Sequence, residues 1–235
     1  MMIRLKTILP ILAILGAVFL WGSSFSAMRA LLMELPPFTV MFCRLFCASL
    51  FILPFSRRLW PKTYTPGDWK MLLPMVLFQP CLYFLFESNA LTYTTSSQAG
   101  VISACLPVMV TSAAWVFLSE SIQPRTLIGL FLAVTGVVVL TIFQAEITSA
   151  ANPVLGNVME FCAMICACGN IILIKKLSTR YDTWALTGMQ VAAGLIWFLP
   201  GMGYFISNGM AALTWQMLLI IGYLGVCVSF LSFGL

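Results

Sequence analysis

Histidine is absent from the 235 residues, and charge is scarce: Lys and Arg number 12, Asp and Glu 7, together 8% of the chain. Without His there are no Ser-His or Cys-His catalytic pairs, and the commonest side-chain ligand for zinc, haem or copper is missing. Only two Asp occur, Asp68 and Asp182, both outside the apolar runs, which excludes a membrane-embedded Asp–Asp protease. Neither a G-x-x-x-x-G-K-[ST] phosphate loop nor a G-x-G-x-x-G turn is present, so ATP-driven transport within this chain has no support. The eight Cys (43, 47, 81, 105, 162, 166, 168 and 227) all fall within apolar runs. Cys162 and Cys166 share a helix face but Cys168 does not, and no loop ligand completes a tetrahedral site. They read as packing residues in a reducing setting. No enzyme, cofactor or metal site is expected.

Hydrophobic residues make up 61% of the chain, against about 45–50% in a soluble domain that also carries about 25% charge. Too little polar surface exists to coat a globule of this size in water, so the solvent is mostly lipid. A bilayer core takes about 20 apolar residues per helix. That length places spans at 8–30, 36–56, 69–91, 96–118, 122–143, 154–174, 183–205 and 215–235, with Pro36-Pro37, Pro61, Pro66-Gly67, Pro124 and Asn152-Pro153 at the junctions. The expected fold is an all-α polytopic membrane protein of about eight transmembrane helices. The length of the first run and its Trp21-Gly22-Ser23-Ser24 mark it as a retained helix and not a cleaved signal.

Charge orients the chain. Arg4, Lys6, Arg57, Arg58, Lys62, Lys70, Arg125, Lys175, Lys176 and Arg180 fall on one side of the spans, with Arg29 the single ambiguous case. The positive-inside rule puts the N-terminus in the cytoplasm, and eight crossings return residue 235 to the same side. The expected location is the plasma membrane, here a bacterial inner membrane. Trp60, Trp69 and Trp215 read as interface anchors.

A shift of 146 residues brings landmarks into register. Leu53-Pro54 falls on Leu199-Pro200, the Trp69-Lys-Met-Leu-Leu73 run on Trp215-Gln-Met-Leu-Leu219, Arg29 on Lys175, and Cys81 on Cys227. Two units follow, residues 1–150 with five helices and 151–235 with three. An odd number of spans per repeat inserts the second copy upside down, an arrangement that transporters use to hold substrate between halves near the midplane. Helices 1–3 and 6–8 should superpose about an axis in the membrane plane. Counterparts of helices 4 and 5 would lie past Leu235, so the second repeat is expected to be truncated.

Several motifs add to the repeat. Trp21-Gly22-Ser23-Ser24-Phe25 with Arg29, Pro36-Pro37, and Arg44-Leu-Phe-Cys-Ala48 stand in the first two spans. Ala90-Leu91-Thr92-Tyr93-Thr94, Ser97, Ala99, Leu106-Pro107-Val108, Glu120, Gly129 and Gly136-Val137-Val138 follow. In these the chain resembles the drug/metabolite transporter superfamily, in its EamA-like ten-helix branch. In the second repeat Ala167-Cys168 replaces Trp-Gly and Gln190 replaces the Arg. The resemblance implies a secondary transporter that moves a small metabolite or drug-like compound by alternating access.

Polar residues at bilayer depth must face protein or water, because a charge there costs about 2.5–3.5 kcal/mol on insertion scales. Arg44 is either a binding charge for an anionic group or a structural anchor pairing with Glu87 or helix-end carbonyls. Gln79, Tyr83 and Glu87 recur every four residues and form one stripe, with Pro80 kinking the helix beside them. Trp21, Gln79, Tyr83, Glu87 and Gln98 are the candidate cavity lining. Arg44, Glu87 and Glu160 are the candidate charge or coupling sites. Against these stand plain readings: inter-helix hydrogen bonds for the stripe, helix contacts for Trp21, and an interfacial position for Glu160. The small residues Ser96, Gly100, Ser103, Pro107 and Thr111 read mainly as a close-packing face. The expected partners are a small-molecule substrate, moved by a proton or a substrate gradient, and the bilayer; nucleic acid is not expected. A homo-oligomer stays open. The alternative function is a non-transporting membrane assembly subunit or an inactive truncated transporter.

Overall fold

The computed structural model describes residues 2–54, 59, 64–143, 151–209 and 213–231. Arg57, Arg58, Trp60, Lys62 and Leu235 lie outside the described residues, as do the side chains of Arg4 and Lys6. Eight helical rods follow in order: α1 (Met2–Leu32), α2 (Pro37–Ile52), α3 (Trp69–Tyr93), α4 (Ser96–Leu118), α5 (Pro124–Phe143), α6 (Pro153–Leu177), α7 (Thr183–Asn208) and α8 (Trp215–Gly222, continuing through Tyr223–Leu231). No strand occurs among the described residues. Five rods (α1 from Ile14, α3, α4, α6 and α7) are long and apolar enough to cross a bilayer, and α2, α5 and α8 contain shorter apolar helices. The chain is an all-α polytopic membrane protein.

Local chemistry sets where the rods begin. Pro37 opens α2 and Pro153 opens α6 at the first helical position, where a missing N–H costs nothing. Side-chain oxygens of Thr95, Asn152, Asp182 and Thr214 accept from the first free N–H groups of α4, α6, α7 and α8, at 3.2–3.4 Å.

One rod departs from the expected continuous helix. At Gln79 the backbone is extended (φ −142°, ψ 126°), the following peptide to Pro80 is cis, and the rod kinks within Leu77–Leu82. The four-residue stripe Gln79, Tyr83, Glu87 is therefore not a stripe on one helix. Pro80 has no N–H to continue the ladder, so Gln79 belongs to the break while Tyr83 and Glu87 sit one turn apart on the helix beyond it.

Close crossings occur at glycines, and chiefly in the second half. A Cβ at Gly156 would lie 2.7 Å from Thr94 Cβ and N, and one at Gly169 would lie 2.8 Å from the Phe78 ring. Those two contacts show α6 running antiparallel along α3. Asn170 Nδ2 donates to the Met75 carbonyl (2.8 Å), and Thr94 Oγ1 lies 2.7 Å from Asn157 Oδ1, so polar groups tie both ends of the same pair. At Gly201 the gap is narrower still, 2.3 Å to the Phe38 carbonyl, where α7 crosses the start of α2. The close-packing reading of α4 does not hold at Gly100, where a Cβ would meet nothing within 4 Å.

Apolar side chains fill the space between rods. Met28 and Leu31 of α1, Val40 and Met41 of α2, Phe84 and Leu91 of α3, Phe198 of α7 and Leu224 of α8 form one buried cluster. A smaller cluster joins Met75 to Leu177, Tyr181 and Leu186. Beside it, Asp68 is buried and accepts from Arg180 Nη1 and Tyr181 OH, each at 2.9 Å, which fastens the entry of α3 to the α6–α7 turn.

The α3–α6 crossing predicts an asymmetry between glycines. Gly156→Ala should lower stability by roughly 1–3 kcal/mol through overpacking. Gly222→Ala, with nothing within 4 Å of the added methyl, should not. Thermal unfolding of the two variants in the same detergent checks this; equal midpoints would contradict the crossing.

Candidate functional site

The break in α3 opens space beside it. A cavity of about 300 Å³ lies between α1–α4 and α6–α8, with a predominantly apolar wall and a few polar groups. Its lining takes Trp21, Ser24 and Phe25 from α1, Arg44 from α2, and Gln79, Tyr83, Phe84 and Glu87 from α3. Across from them stand Ala167, Asn170, Ile171 and Ile174 of α6, Thr183, Thr187 and Gln190 of α7, and Val228 of α8. Of the candidate lining residues, Trp21, Gln79, Tyr83 and Glu87 border this space. Gln98 is not among its lining: its Oε1 accepts from Thr94 Oγ1 at 2.6 Å, near the start of α4.

Arg44 is buried, and its partners come from three other helices. Nε donates to Ser229 Oγ of α8 (2.8 Å), Nη1 lies 3.7 Å from Met28 Sδ of α1, and the guanidinium sits 4.6 Å from the centre of the Phe84 ring of α3. No ion pair joins Arg44 to Glu87: among the described residues the two salt bridges are Lys175–Glu120 and Arg180–Asp68. The expected Arg44–Glu87 pairing thus gives way to a hydroxyl and an aromatic face. A delocalised, weakly hydrated guanidinium suits such surroundings.

Glu87 receives a hydrogen bond from Tyr83 OH to Oε1 at 2.6 Å, one turn back on α3. Its Oε2 is buried with no partner. Glu160 is fully buried within the bundle, and neither of its oxygens has a partner. Its place is against α3, behind the cavity wall and not on it.

Other polar residues carry parts of the site that spacing alone did not bring out. Gln190 Nε2 donates to the Gln79 carbonyl (3.0 Å), the backbone group freed by the break. Arg29 Nη1 donates to the Leu91 carbonyl (2.9 Å) and to that of Thr94, capping the end of α3. Ser23 Oγ and Tyr223 OH are 2.6 Å apart and join α1 to α8. The sequence signal was Gln190 at the repeat position of Arg44; the partners themselves lie too far apart in the chain for any local pattern.

The described residues thus form a helical bundle of membrane-crossing length around a cavity with a few polar handles. The chain belongs to the EamA-like transporter family, whose model matches residues 8–142, more than half of the chain. This places it in the EamA branch of the drug/metabolite transporter superfamily. It is 28% identical over 185 residues to an uncharacterized transporter of Archaeoglobus fulgidus, covering 78% of this chain and 63% of that protein. It is 23% identical over 219 residues to the uncharacterized transporter YvbV of Bacillus subtilis, covering 92% of this chain and 70% of YvbV. The chain thus spans less than two thirds of the length of the first of these relatives. A solved protein structure superposes with a TM-score of 0.64 over 95% of this chain and 77% of its own, at 16% identity, and so shares the fold.

The Gln190–Gln79 contact yields a stability test. Gln190→Leu leaves a buried carbonyl unpaired and should cost about 1–3 kcal/mol. Thr187→Val, one turn earlier on the same wall, should cost less. Thermal midpoints of the purified variants decide, and a Gln190→Leu protein as stable as the parent would show that the break needs no such support.

Proposed function

We propose that this chain carries a small molecule through the cavity between its two repeats by alternating access, exporting or exchanging it across a bacterial inner membrane. The observation that carries the reading is the pairing of lining positions at the 146-residue shift. Trp21 and Ala167, Ser24 and Asn170, Phe25 and Ile171, and Arg44 and Gln190 all border the same space. A site assembled from equivalent positions of two copies is what an inverted repeat builds around its axis. Element boundaries support the same register. Pro37–Ile52 recurs as Thr183–Phe198, and Trp69–Val76 as Trp215–Gly222.

The repeats are 1–150 and 151–235, with both ends of this chain on the cytoplasmic side by the Lys/Arg bias. Trp21, Phe25, Tyr83 and Phe84 supply flat apolar surface; Arg44, Gln79 and Glu87 supply the polar handles. Such a wall fits an amphipathic or zwitterionic molecule. Glu87, on the wall with one oxygen free, is the residue through which a proton gradient drives the cycle.

Reconstitution tests the reading. Proteoliposomes holding the chain should move one member of a panel of small metabolites and drug-like compounds, and an imposed proton gradient should speed that movement. Glu87→Gln should remain folded, since Arg44 does not rely on Glu87 for an ion pair, while gradient-driven movement falls to background. A folded Glu87→Gln protein with undiminished gradient-driven transport would remove the coupling role.

A further inference from the structure

Among the described residues, the buried side-chain oxygens and nitrogens without a hydrogen-bond partner belong to two acids only: Glu87 Oε2, Glu160 Oε1 and Glu160 Oε2. Proteins leave few such atoms, and each asks for a reason other than stability. The α3–α6 crossing brings the two carboxyls into one neighbourhood. Gly156 packs on Ala90 and Thr94, and the antiparallel run continues to Gly169 on Phe78. Glu160 lies one turn past Gly156, and Glu87 lies one turn before Leu91, so the crossing sets them side by side. The charge on either one acts on the other.

The surroundings offer these acids almost nothing else. Tyr83 gives Glu87 one hydrogen bond. Arg44 faces the same cavity but is engaged by Ser229 and Phe84. α3 otherwise carries Cys81 and Tyr93, α6 carries Cys162, Cys166 and Cys168, and α4, which packs on α6, has only Cys105 as an ionisable side chain; α1 and α2, packed on α3, bring Arg29, engaged by the Leu91 and Thr94 carbonyls, and Cys43 and Cys47. Two bare carboxylates in such a place repel each other and are desolvated; Arg44 is the cation within electrostatic reach of Glu87, and it forms no ion pair with either acid. A proton is the ligand that fits, since among the described residues no group of three or more His, Cys, Asp or Glu gathers to hold a metal ion.

We propose that Glu87 and Glu160 together form a binding site for one exchangeable proton, in which Glu87 meets the cavity and Glu160 stands behind it as the second carboxyl sharing that proton. This rests on the reading of the cavity as a transport site and deepens it. The chemistry is a proton transfer only. An O–H bond of a cavity hydronium breaks, one to Glu87 Oε2 forms, and the charge of the pair rises by one with no change in oxidation state.

The test titrates the proton itself, by infrared difference spectroscopy of the full chain in lipid vesicles across pH, exchanging water for deuterated water. The unsubstituted protein should show a protonated-carboxyl band that appears on acidification and shifts on deuteration. Glu87→Gln should lose its rapid response to bulk pH, because the member facing the cavity is gone. Glu160→Gln should keep the response with its midpoint displaced by about one pH unit or more, as interacting acids titrate as a pair. Glu160→Asp, which keeps the second carboxyl, should titrate closer to the parent and serves if Glu160→Gln does not fold. A parent protein with no titrating carboxyl band, or one whose band depends on sodium and not on pH, would overturn the proposal. So would a Glu160→Gln titration identical to the parent. A titrating pair in a protein that transports nothing would leave this site standing and remove the transport reading instead.

Discussion

Lipid offers no hydrogen-bond partner, and most of the polar architecture answers to that constraint. Inside the bundle several groups that leave the helical ladder find a partner on another rod. The carbonyl freed at Gln79 goes to Gln190, that of Met75 to Asn170, and those at the end of α3 to Arg29. Arg44 shows the same rule for a full charge, held by a serine, a thioether and an aromatic face from three helices. These contacts join α1, α2 and α3 to α6, α7 and α8. Polar satisfaction, and not apolar burial from water, fixes how the two groups of helices meet, since lipid tails are as apolar as the side chains they would replace.

The same constraint explains why the cavity lies where it does. Pro80 interrupts α3 at bilayer depth, and a broken helix is tolerated there only where protein or a water-filled space receives the loose groups. The break therefore faces inward, between the helix groups, and the cavity forms beside it. Around it the rods approach as closely as glycine allows, at Gly156, Gly169, Gly194 and Gly201. Glu87 and Glu160 are the exceptions to the rule of satisfied polar groups, and they stand beside that pocket and behind its wall.

Much of this was legible in the chain before any coordinates. Apolar run length located every rod, and Pro37 and Asn152-Pro153 marked starts because capping and proline act within a few residues. Trp21, Gln79, Tyr83 and Glu87 were singled out by polarity or motif, and all four border the cavity. Less legible were features set by distant partners. Ser229 lies 185 residues from Arg44, so nothing near Arg44 foretold that a hydroxyl would take the place of Glu87. Glu160 sits close to a helix start in sequence, yet α3 covers it completely. Helical spacing treated Gln79, Tyr83 and Glu87 as one face because it assumes unbroken rotation, which Pro80 removes. Gly100 looked like a packing residue for the same reason: spacing identifies a small face but not whether a neighbour comes to it.

Alternating access requires one space between the helix groups to open in turn to each side of the membrane. Thr187, half-buried on the cavity wall, reports on it directly when changed to Cys in a background freed of the eight native thiols. Ile196, on the same helix and 74% exposed on the outer surface of the bundle, supplies the lipid-facing control. A membrane-impermeant maleimide is applied from one side of sealed vesicles and then from the other. The account predicts that Thr187→Cys reacts from both sides while Ile196→Cys reacts from neither. Reaction of Thr187→Cys from a single side under every pH and substrate condition would contradict it.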